Sequence, residues 1–147
     1  MDNTLRRIRE HVASGLGENI DWEKVSKYVM LPEEFIREFQ DKLNWNSVST
    51  YQTSSEDFIR EFQDKLNWGD IARYQKLSES FIREFYDKLN GYGISDSQIL
   101  SEDFMREFQD TLDWCQISKY QKLSERFMRD FQDKLNWRRV SRYQILS

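Results

Sequence analysis

Residues 55–77 read SEDFIREFQDKLNWGDIARYQKL, and nearly the same 23 letters recur on both sides of this stretch. A phenylalanine repeats at this period without any insertion, at Phe35, Phe58, Phe81, Phe104 and Phe127. A tryptophan keeps the same period at Trp22, Trp45, Trp68, Trp114 and Trp137, and Gly91 occupies the slot where one is missing. Self-similarity at a fixed period of this size indicates a repeat protein, in which each unit packs against its neighbours.

The first part of each repeat has the pattern of an amphipathic helix. Phe58, Ile59, Phe62 and Leu66 follow one another at intervals of one, three and four residues, which places them on one apolar stripe. Ser55 is a suitable N-cap for this helix, and Pro32 fills the equivalent slot one repeat earlier. The pattern predicts a helix of about 12 residues, or roughly 18 Å.

A second, shorter helix follows in each repeat. Asn67 is predicted to end the first helix and to cap the second, and Trp68, Ile71, Ala72 and Gln75 are predicted to share the buried side. The cap position is filled in the other repeats by Asp21, Asn44, Asn90, Asp113 and Asn136. The Ala72 position always holds a small residue, at Ser26, Ser49, Ser95, Ser118 and Ser141, which predicts close approach of neighbouring helices.

These patterns together predict an all-α solenoid of tandem 23-residue repeats, each with two helices. We expect a divergent capping repeat at residues 1–31, followed by repeats at 32–54, 55–77, 78–100, 101–123 and 124–147. The cap has its own helical spacing over residues 3–20, in Leu5, Ile8, Val12, Leu16 and Ile20, with Arg6, Arg7 and Arg9 facing water. A coiled coil is disfavoured because 23 is not a multiple of seven.

The second helix predicted in the repeat 78–100, which we call the fourth repeat, departs from the pattern. Gly91, Gly93 and Ser97 replace the usual tryptophan, a polar residue and the usual tyrosine. One interpretation is a weak joint that Tyr86 or Tyr92 repacks. The other is a notch or hinge that receives a partner.

The sequence offers little for catalysis. His11 is the only histidine and Cys115 the only cysteine, and no phosphate-binding glycine loop is present. An aspartate such as Asp87 lies four residues after an arginine such as Arg83 in every repeat, which favours a ladder of ion pairs over one active site. We therefore expect no enzyme, no cofactor and no metal. Cys115 is expected to be an incidental surface thiol.

Localisation is predicted from what the chain contains. There is no apolar run near the ~18 residues of a membrane span, and the first ten residues, MDNTLRRIRE, have no secretory apolar core. With a single cysteine, this favours an intracellular protein that is neither secreted nor inserted in a membrane.

The slots that vary between repeats carry a distinct charge. Counted from each tryptophan position, the slots one, two, five and eight residues later hold nine basic and three acidic side chains, whereas the rest of the chain holds 13 and 23. These slots are predicted to form the solvent face of the second helices. The candidate partner-binding residues are Arg73, Lys76, Lys119, Lys122, Arg138, Arg139 and Arg142.

Three functions are compatible with this face. A scaffold could bind an acidic protein partner there, a nucleic acid could be held through its phosphates, or the face could vary freely with no ligand. The pI near 5.2 argues against nucleic acid.

The last repeat is expected to leave its stacking face uncovered, with Trp137, Val140 and Leu146 on that face. An uncovered apolar face predicts self-association or a longer array.

The repeated words DFIREFQDKLNW and YQKLSE, with the Trp-x-x-Ile-Ser-x-Tyr-Gln spacing, resemble short helical-repeat proteins of giant DNA viruses of amoebae, such as the marseillevirus group. The resemblance covers roughly residues 22–147. It implies a virus-encoded interaction protein that acts in the host cytoplasm or in the virion, and it brings no catalytic or ligand residues.

Overall fold

The computed structural model describes residues 3–144, which contain twelve α-helices, one short 3₁₀ helix and no strand. The chain forms two compact units, Met1–Gln52 and Thr53–Ser147. The first contains α1 (Asn3–Ala13), the 3₁₀ helix Gly17–Asn19, α2 (Trp22–Tyr28), α3 (Glu33–Glu38) and α4 (Trp45–Tyr51). The second contains α5 (Glu56–Glu61), α6 (Trp68–Tyr74), α7 (Glu79–Glu84), α8 (Gly91–Ser97), α9 (Glu102–Glu107), α10 (Trp114–Tyr120), α11 (Glu125–Asp130) and α12 (Trp137–Tyr143). The fold is the predicted solenoid of bihelical repeats.

The predicted helix caps are confirmed. Ser55 Oγ accepts a hydrogen bond from Phe58 N at 3.2 Å, and Asn67 Oδ1 accepts one from Asp70 N at 3.1 Å. Equivalent side-chain caps are made by Asp21, Asn44, Ser78, Asn90, Ser101, Asp113, Ser124 and Asn136. Each cap satisfies one of the amide groups that the first turn leaves without a partner.

The first helix of each repeat is shorter than the predicted 12 residues. α5 has six residues, and Phe62 leaves the helix with φ −106° and ψ 25°. The chain then turns, with Leu66 N donating to Phe62 O at 3.2 Å. The Trp68 indole donates to Gln63 O at 3.0 Å and so ties the second helix to this turn. The apolar spacing therefore continues through the turn, although the helix does not.

The cap helix is also shorter than predicted. α1 ends at Ala13, and Gly15 takes a positive φ of 79°, a conformation that favours glycine. Leu5 and Ile8 are buried, whereas Leu16 remains 48% exposed. Arg9 was expected to face water but is only partly exposed, because its guanidinium lies 5.2 Å from the centre of the Phe35 ring and pairs with Glu38 of α3.

The phenylalanines form the core of each unit in equivalent surroundings. Phe58, Phe81 and Phe104 are all fully buried, and each ring lies 4.5–4.7 Å from the phenylalanine four residues later. Trp68 stacks on Phe85 of the following repeat at 5.0 Å. The aromatic side chains thus join consecutive repeats as well as the two helices of one repeat.

Within each unit, a glutamine links a second helix to the second helix before it, in a contact that we call the glutamine clamp. Gln98 Nε2 donates to Ala72 O and Gln75 O, both at 2.7 Å, and its Oε1 accepts from Leu77 N at 3.1 Å. The same donor contacts are made by Gln52, Gln121 and Gln144 in their own units. The clamp satisfies carbonyl groups at the end of the preceding helix.

The small buried residue in the second helix is also a hydrogen-bonding group. Ser118 Oγ donates to Trp114 O at 2.6 Å and accepts from Asn136 N at 2.9 Å. Ser26 makes the equivalent contacts in the first unit. Serine therefore recurs here because it connects the cap of the next repeat, in addition to being small.

An ion-pair ladder runs between adjacent repeats, but its acidic members differ from those predicted. Arg83 pairs with Glu107 at 2.8 Å rather than with Asp87, and its guanidinium lies 5.0 Å from the centre of the Phe104 ring. Arg60 and Arg106 pair in the same way with Glu84 and Asp130. Each ladder arginine thus has both a carboxylate and an aromatic ring of the next repeat.

In the fourth repeat, a tyrosine takes the place of the missing tryptophan, in a coordinated exchange of residues. Tyr86 stacks on Phe108 with ring centres 4.2 Å apart, which is the position that Trp68 takes on Phe85 one repeat earlier. The Tyr86 hydroxyl is also hydrogen-bonded to Thr111 Oγ1. The interpretation that Tyr86 repacks this joint is confirmed.

Gly91 is required by this exchange. A Cβ atom on Gly91 would lie 2.5 Å from Thr111 O, so the backbone of the next repeat occupies the place of a side chain. Thr111 itself replaces a lysine, which in the preceding repeat is Lys88, held 5.3 Å over the Trp68 ring. Three residues in two repeats therefore change together.

Candidate binding site

The candidate site lies at the packed helices α10 and α12 of the second unit. Asn136 caps α12 by accepting from Arg139 N at 3.1 Å. The cap fixes the start of the helix, so that Arg138, Arg139 and Arg142 project beside Lys119 of α10. We call the resulting concavity of about 330 Å³ the basic groove. It is lined by Cys115, Lys119, Asn136, Arg138, Arg139, Arg142 and Tyr143.

Lys119 is held between two tyrosines. Its Nζ donates to Tyr120 Oη at 2.8 Å and lies 4.5 Å and 5.1 Å from the ring centres of Tyr120 and Tyr143. The hydrogen bond to Tyr120 raises the pKa of Lys119, against the desolvation of the amine and the nearby positive charge of Arg139. Lys119 therefore stays charged at neutral pH and contributes a fixed cation to the basic groove.

The first unit contains a related arrangement. Lys27 Nζ lies 5.0 Å and 5.3 Å from the ring centres of Tyr28 and Tyr51, and the hydrogen bond to Tyr28 raises its pKa. In the basic groove, Arg138, Arg139 and Arg142 also line the concavity beside the lysine. The combination of tyrosines with several arginines belongs to α10 and α12.

The arginines of the basic groove differ from the ladder arginines in their ion pairs. Among residues 3–144, no carboxylate forms an ion pair with Arg138, Arg139 or Arg142. The ladder arginines differ, since Arg60 and Arg83 each pair with a carboxylate at 2.8 Å. Uncompensated cations that repel one another favour binding of an anion from outside.

The structure separates the candidate partner-binding residues into two groups. Lys119, Arg138, Arg139 and Arg142 meet in the basic groove, whereas Arg73, Lys76 and Lys122 are exposed but do not line it. At the slot five residues after the tryptophan position, Asp96 stands between Arg73 and Lys119 along the repeats. The basic face is therefore not a continuous stripe.

One feature of the predicted solvent face is wrong. Gly93 and Gln116 occupy a variable slot but are buried, and a Cβ atom on Gly93 would lie 3.2 Å from the Ala72 Cβ atom of the preceding second helix. Cys115 is a half-buried free thiol, and its Sγ accepts from Asn136 Nδ2 at 3.4 Å. The variable slots thus include both contacts between repeats and exposed positions.

Sequence reasoning missed the tyrosines and Asn136. Asn136 was predicted only as a helix cap, but its side chain also lines the basic groove. The tyrosine slot recurs at Tyr28, Tyr51, Tyr74, Tyr120 and Tyr143, and these rings are 44–71% exposed. A large aromatic residue that repeats at an exposed slot was a signal available in the sequence.

The proposed self-association residues have different surroundings. Trp137 is 49% exposed, whereas Val140 is 1% exposed and cannot belong to an uncovered face. The prediction for Val140 is wrong because this side chain is buried, in a helix that packs against α10. Leu146 lies outside the described residues.

A second concavity, of about 280 Å³, lies in the first unit and is lined by Thr4, Arg7, Ile8, His11, Asn19 and Ile20. His11 is exposed, with Nδ1 3.0 Å from Arg7 O. In the part of the chain that the structure describes, no three His, Cys, Asp or Glu side chains are grouped to hold a metal ion. None of the helices within residues 3–144 has the length and apolar character needed to cross a membrane.

Comparison with family models, with curated proteins and with solved structures found no match to this chain.

Proposed function

We propose that this protein is a non-enzymatic interaction scaffold that binds an acidic segment of a protein partner in the basic groove. The observation that carries the proposal is the convergence of Lys119, Arg138, Arg139 and Arg142 in one groove, where no carboxylate of residues 3–144 forms an ion pair with the three arginines. Repeat proteins present such surfaces on a rigid frame, and complementary charge speeds and orients the encounter with a partner.

The rigid frame under the basic groove supports this proposal. Gln121 clamps the end of α8, and Gln144 clamps the end of α10 with Nε2 3.1 Å from Ser118 O. The Gln121 bond joins α10 to α8, and the Gln144 bond joins the end of α12 to α10. A preformed groove loses less conformational entropy on binding than a flexible one.

Nucleic acid is the second candidate, and the tyrosines beside Lys119 favour it. Bases stack on exposed aromatic rings, and basic side chains follow the phosphate backbone. Asp96, the acidic pI near 5.2 and the separation of Arg73 from the basic groove weigh against a long polyanion. The acidic protein segment is therefore the better-supported ligand.

Charge reversal tests both candidates. The quadruple variant Lys119→Glu, Arg138→Glu, Arg139→Glu and Arg142→Glu is compared with the unchanged chain for binding to a fluorescent polyglutamate peptide and to a single-stranded oligonucleotide. We expect the unchanged chain to bind the peptide in a salt-sensitive manner and the variant to lose this binding. Unaltered binding of both probes would refute a role for this face, and loss of oligonucleotide binding alone would favour nucleic acid.

The resemblance to repeat proteins of giant amoeba viruses adds a setting to this proposal. In that setting, the partner is a protein of the infected cell or of the virion. Intracellular location and the absence of catalysis are part of the same proposal. Detection of the protein in purified virions or in infected-cell cytoplasm tests this part independently of the basic groove.

A further inference from the structure

We infer that the basic groove recognises a phosphorylated protein segment, with the phosphate monoester as the anchoring group. This inference rests on the proposed function and specifies its ligand class. It starts from the number of cations that meet in one place, since Lys119, Arg138, Arg139 and Arg142 line a single concavity.

The charge of the basic groove fits a phosphate better than a single carboxylate. A carboxylate carries one negative charge and two acceptor oxygens, whereas a phosphate monoester carries about −1.5 to −2 and three strong acceptor oxygens. Guanidinium groups bind such oxygens through paired N–H donors in a fixed geometry. Three arginines and one lysine provide more donors than one carboxylate can satisfy.

The dimensions of the basic groove leave space for residues beside the phosphate. Its volume of about 330 Å³ lies near the lower end of the ~300–1,000 Å³ found for ligand pockets. Tyr143 lines one side and remains 44% exposed, so its ring can contact a neighbouring residue of the peptide. The site therefore suits one phosphorylated residue with its immediate neighbours.

The surroundings of the basic groove favour a short ligand. In α8, the slot equivalent to Lys119 holds Asp96, and the slots equivalent to Arg138 and Arg139 hold Tyr92 and Gly93. A polyanion that continued from α10 onto α8 would meet a carboxylate in place of a cation. The positive charge is concentrated at α10 and α12, which matches a single multivalent anion.

The experiment compares three fluorescein-labelled peptides that differ only at the central residue, which is phosphoserine, glutamate or serine. Binding to the full chain is measured by fluorescence anisotropy, with a labelled single-stranded oligonucleotide as a further probe. We expect the phosphoserine peptide to bind at least about tenfold more tightly than the glutamate peptide, and the serine peptide not to bind.

Two variants with equal loss of charge locate the site. The groove variant carries Arg138→Gln, Arg139→Gln and Arg142→Gln, and the control variant carries Arg73→Gln, Lys76→Gln and Lys122→Gln. We expect the groove variant to lose the preference for phosphoserine and the control variant to keep it. Circular dichroism of both variants establishes that they remain folded. Equal loss of affinity in the two variants would overturn the inference, because net charge alone would then explain binding.

The pH dependence provides a readout that is specific for phosphate. The second pKa of a phosphate monoester is about 6, so its charge increases between pH 5 and pH 7 while the groove cations remain charged. Affinity for the phosphoserine peptide should increase several-fold over this range, whereas affinity for the glutamate peptide should change little.

The outcomes distinguish the inference from the proposed function. Equal affinity for the glutamate and phosphoserine peptides overturns phosphate recognition and leaves the acidic-segment proposal standing. Tighter binding of the oligonucleotide than of any peptide overturns both in favour of nucleic acid. Failure of every probe to bind overturns both and leaves the basic groove without a ligand of this charge.

Discussion

Replacement of Gln98 by alanine tests the glutamine clamp. Gln98 is 4% exposed, and its amide forms three hydrogen bonds with the preceding repeat, to Ala72 O, Gln75 O and Leu77 N. The substitution leaves these three backbone groups without their partner. Each buried group that loses a hydrogen bond costs about 1–3 kcal/mol, so we expect a total loss of about 3–5 kcal/mol after some water reaches the site.

The matched control is Gln109→Ala, since the residue type and the substitution are the same. Gln109 is half-buried, and its Nε2 makes one bond of 3.2 Å, to Arg106 O in its own repeat. We expect a loss of less than about 1 kcal/mol for this variant. Urea unfolding followed by circular dichroism and by tryptophan fluorescence gives the free energy of unfolding of each variant.

Two results would refute the role assigned to Gln98. One is a loss below about 1 kcal/mol for Gln98→Ala, which would mean that water satisfies the exposed carbonyls without cost. The other is an equal loss for Gln98→Ala and Gln109→Ala, which would mean that the position relative to the neighbouring repeat has no importance. Different transitions for the two spectroscopic probes would show unfolding in more than one step, and the comparison would then use the step that includes α8.

The remaining predictions concern the fourth repeat and the ladder. Gly91→Trp should destabilise the protein by about 1–3 kcal/mol, because its Cβ would lie 2.5 Å from Thr111 O. A triple variant that adds Tyr86→Gln and Thr111→Lys should recover much of this lost stability, as measured by thermal unfolding. A triple variant no more stable than Gly91→Trp would contradict the coordinated exchange. The hydrogen bond from Arg60 lowers the pKa of Glu84 below its ordinary value of 4.5, so the pair stabilises the fold above pH 4.5 and loses this effect as the pH falls through the lowered pKa. The melting temperatures of Glu84→Gln and the unchanged chain should therefore converge below pH 4.5, and a difference independent of pH would exclude this account.

The period of the sequence was sufficient to predict the fold because the same neighbours recur at each step. Phe58 and Phe81 were assigned to the core from their spacing alone, and both are fully buried. The caps at Ser55 and Asn67 were also predictable, since a side-chain acceptor three residues before the bonded amide is a local feature. Helix length was less predictable, because the turn after Glu61 keeps the apolar spacing of a helix.

The ion-pair partners and the members of the basic groove could not be predicted from the sequence, because both depend on contacts between repeats. The partner of Arg83 is Glu107, 24 residues away, and nothing in the repeat alone distinguishes it from Asp87. The basic groove depends on which side chains of α10 and α12 lie next to each other. The charge pattern predicted Lys119 and Arg142 as candidates, but their separation from Arg73 required the structure.

The spacing of the glutamine clamp determines whether repeats can be gained or lost by recombination of the gene without loss of the contacts between repeats. Within the second unit, each clamp joins positions 23 and 26 residues apart, as in Gln121 with Gln98 O and Ser95 O. Recombination that copies or deletes one 23-residue segment therefore restores a complete set of clamps, and the number of repeats can drift without a new interface. The exchange of Tyr86, Gly91 and Thr111 extends over more than one period, so no single-segment event can transfer it intact.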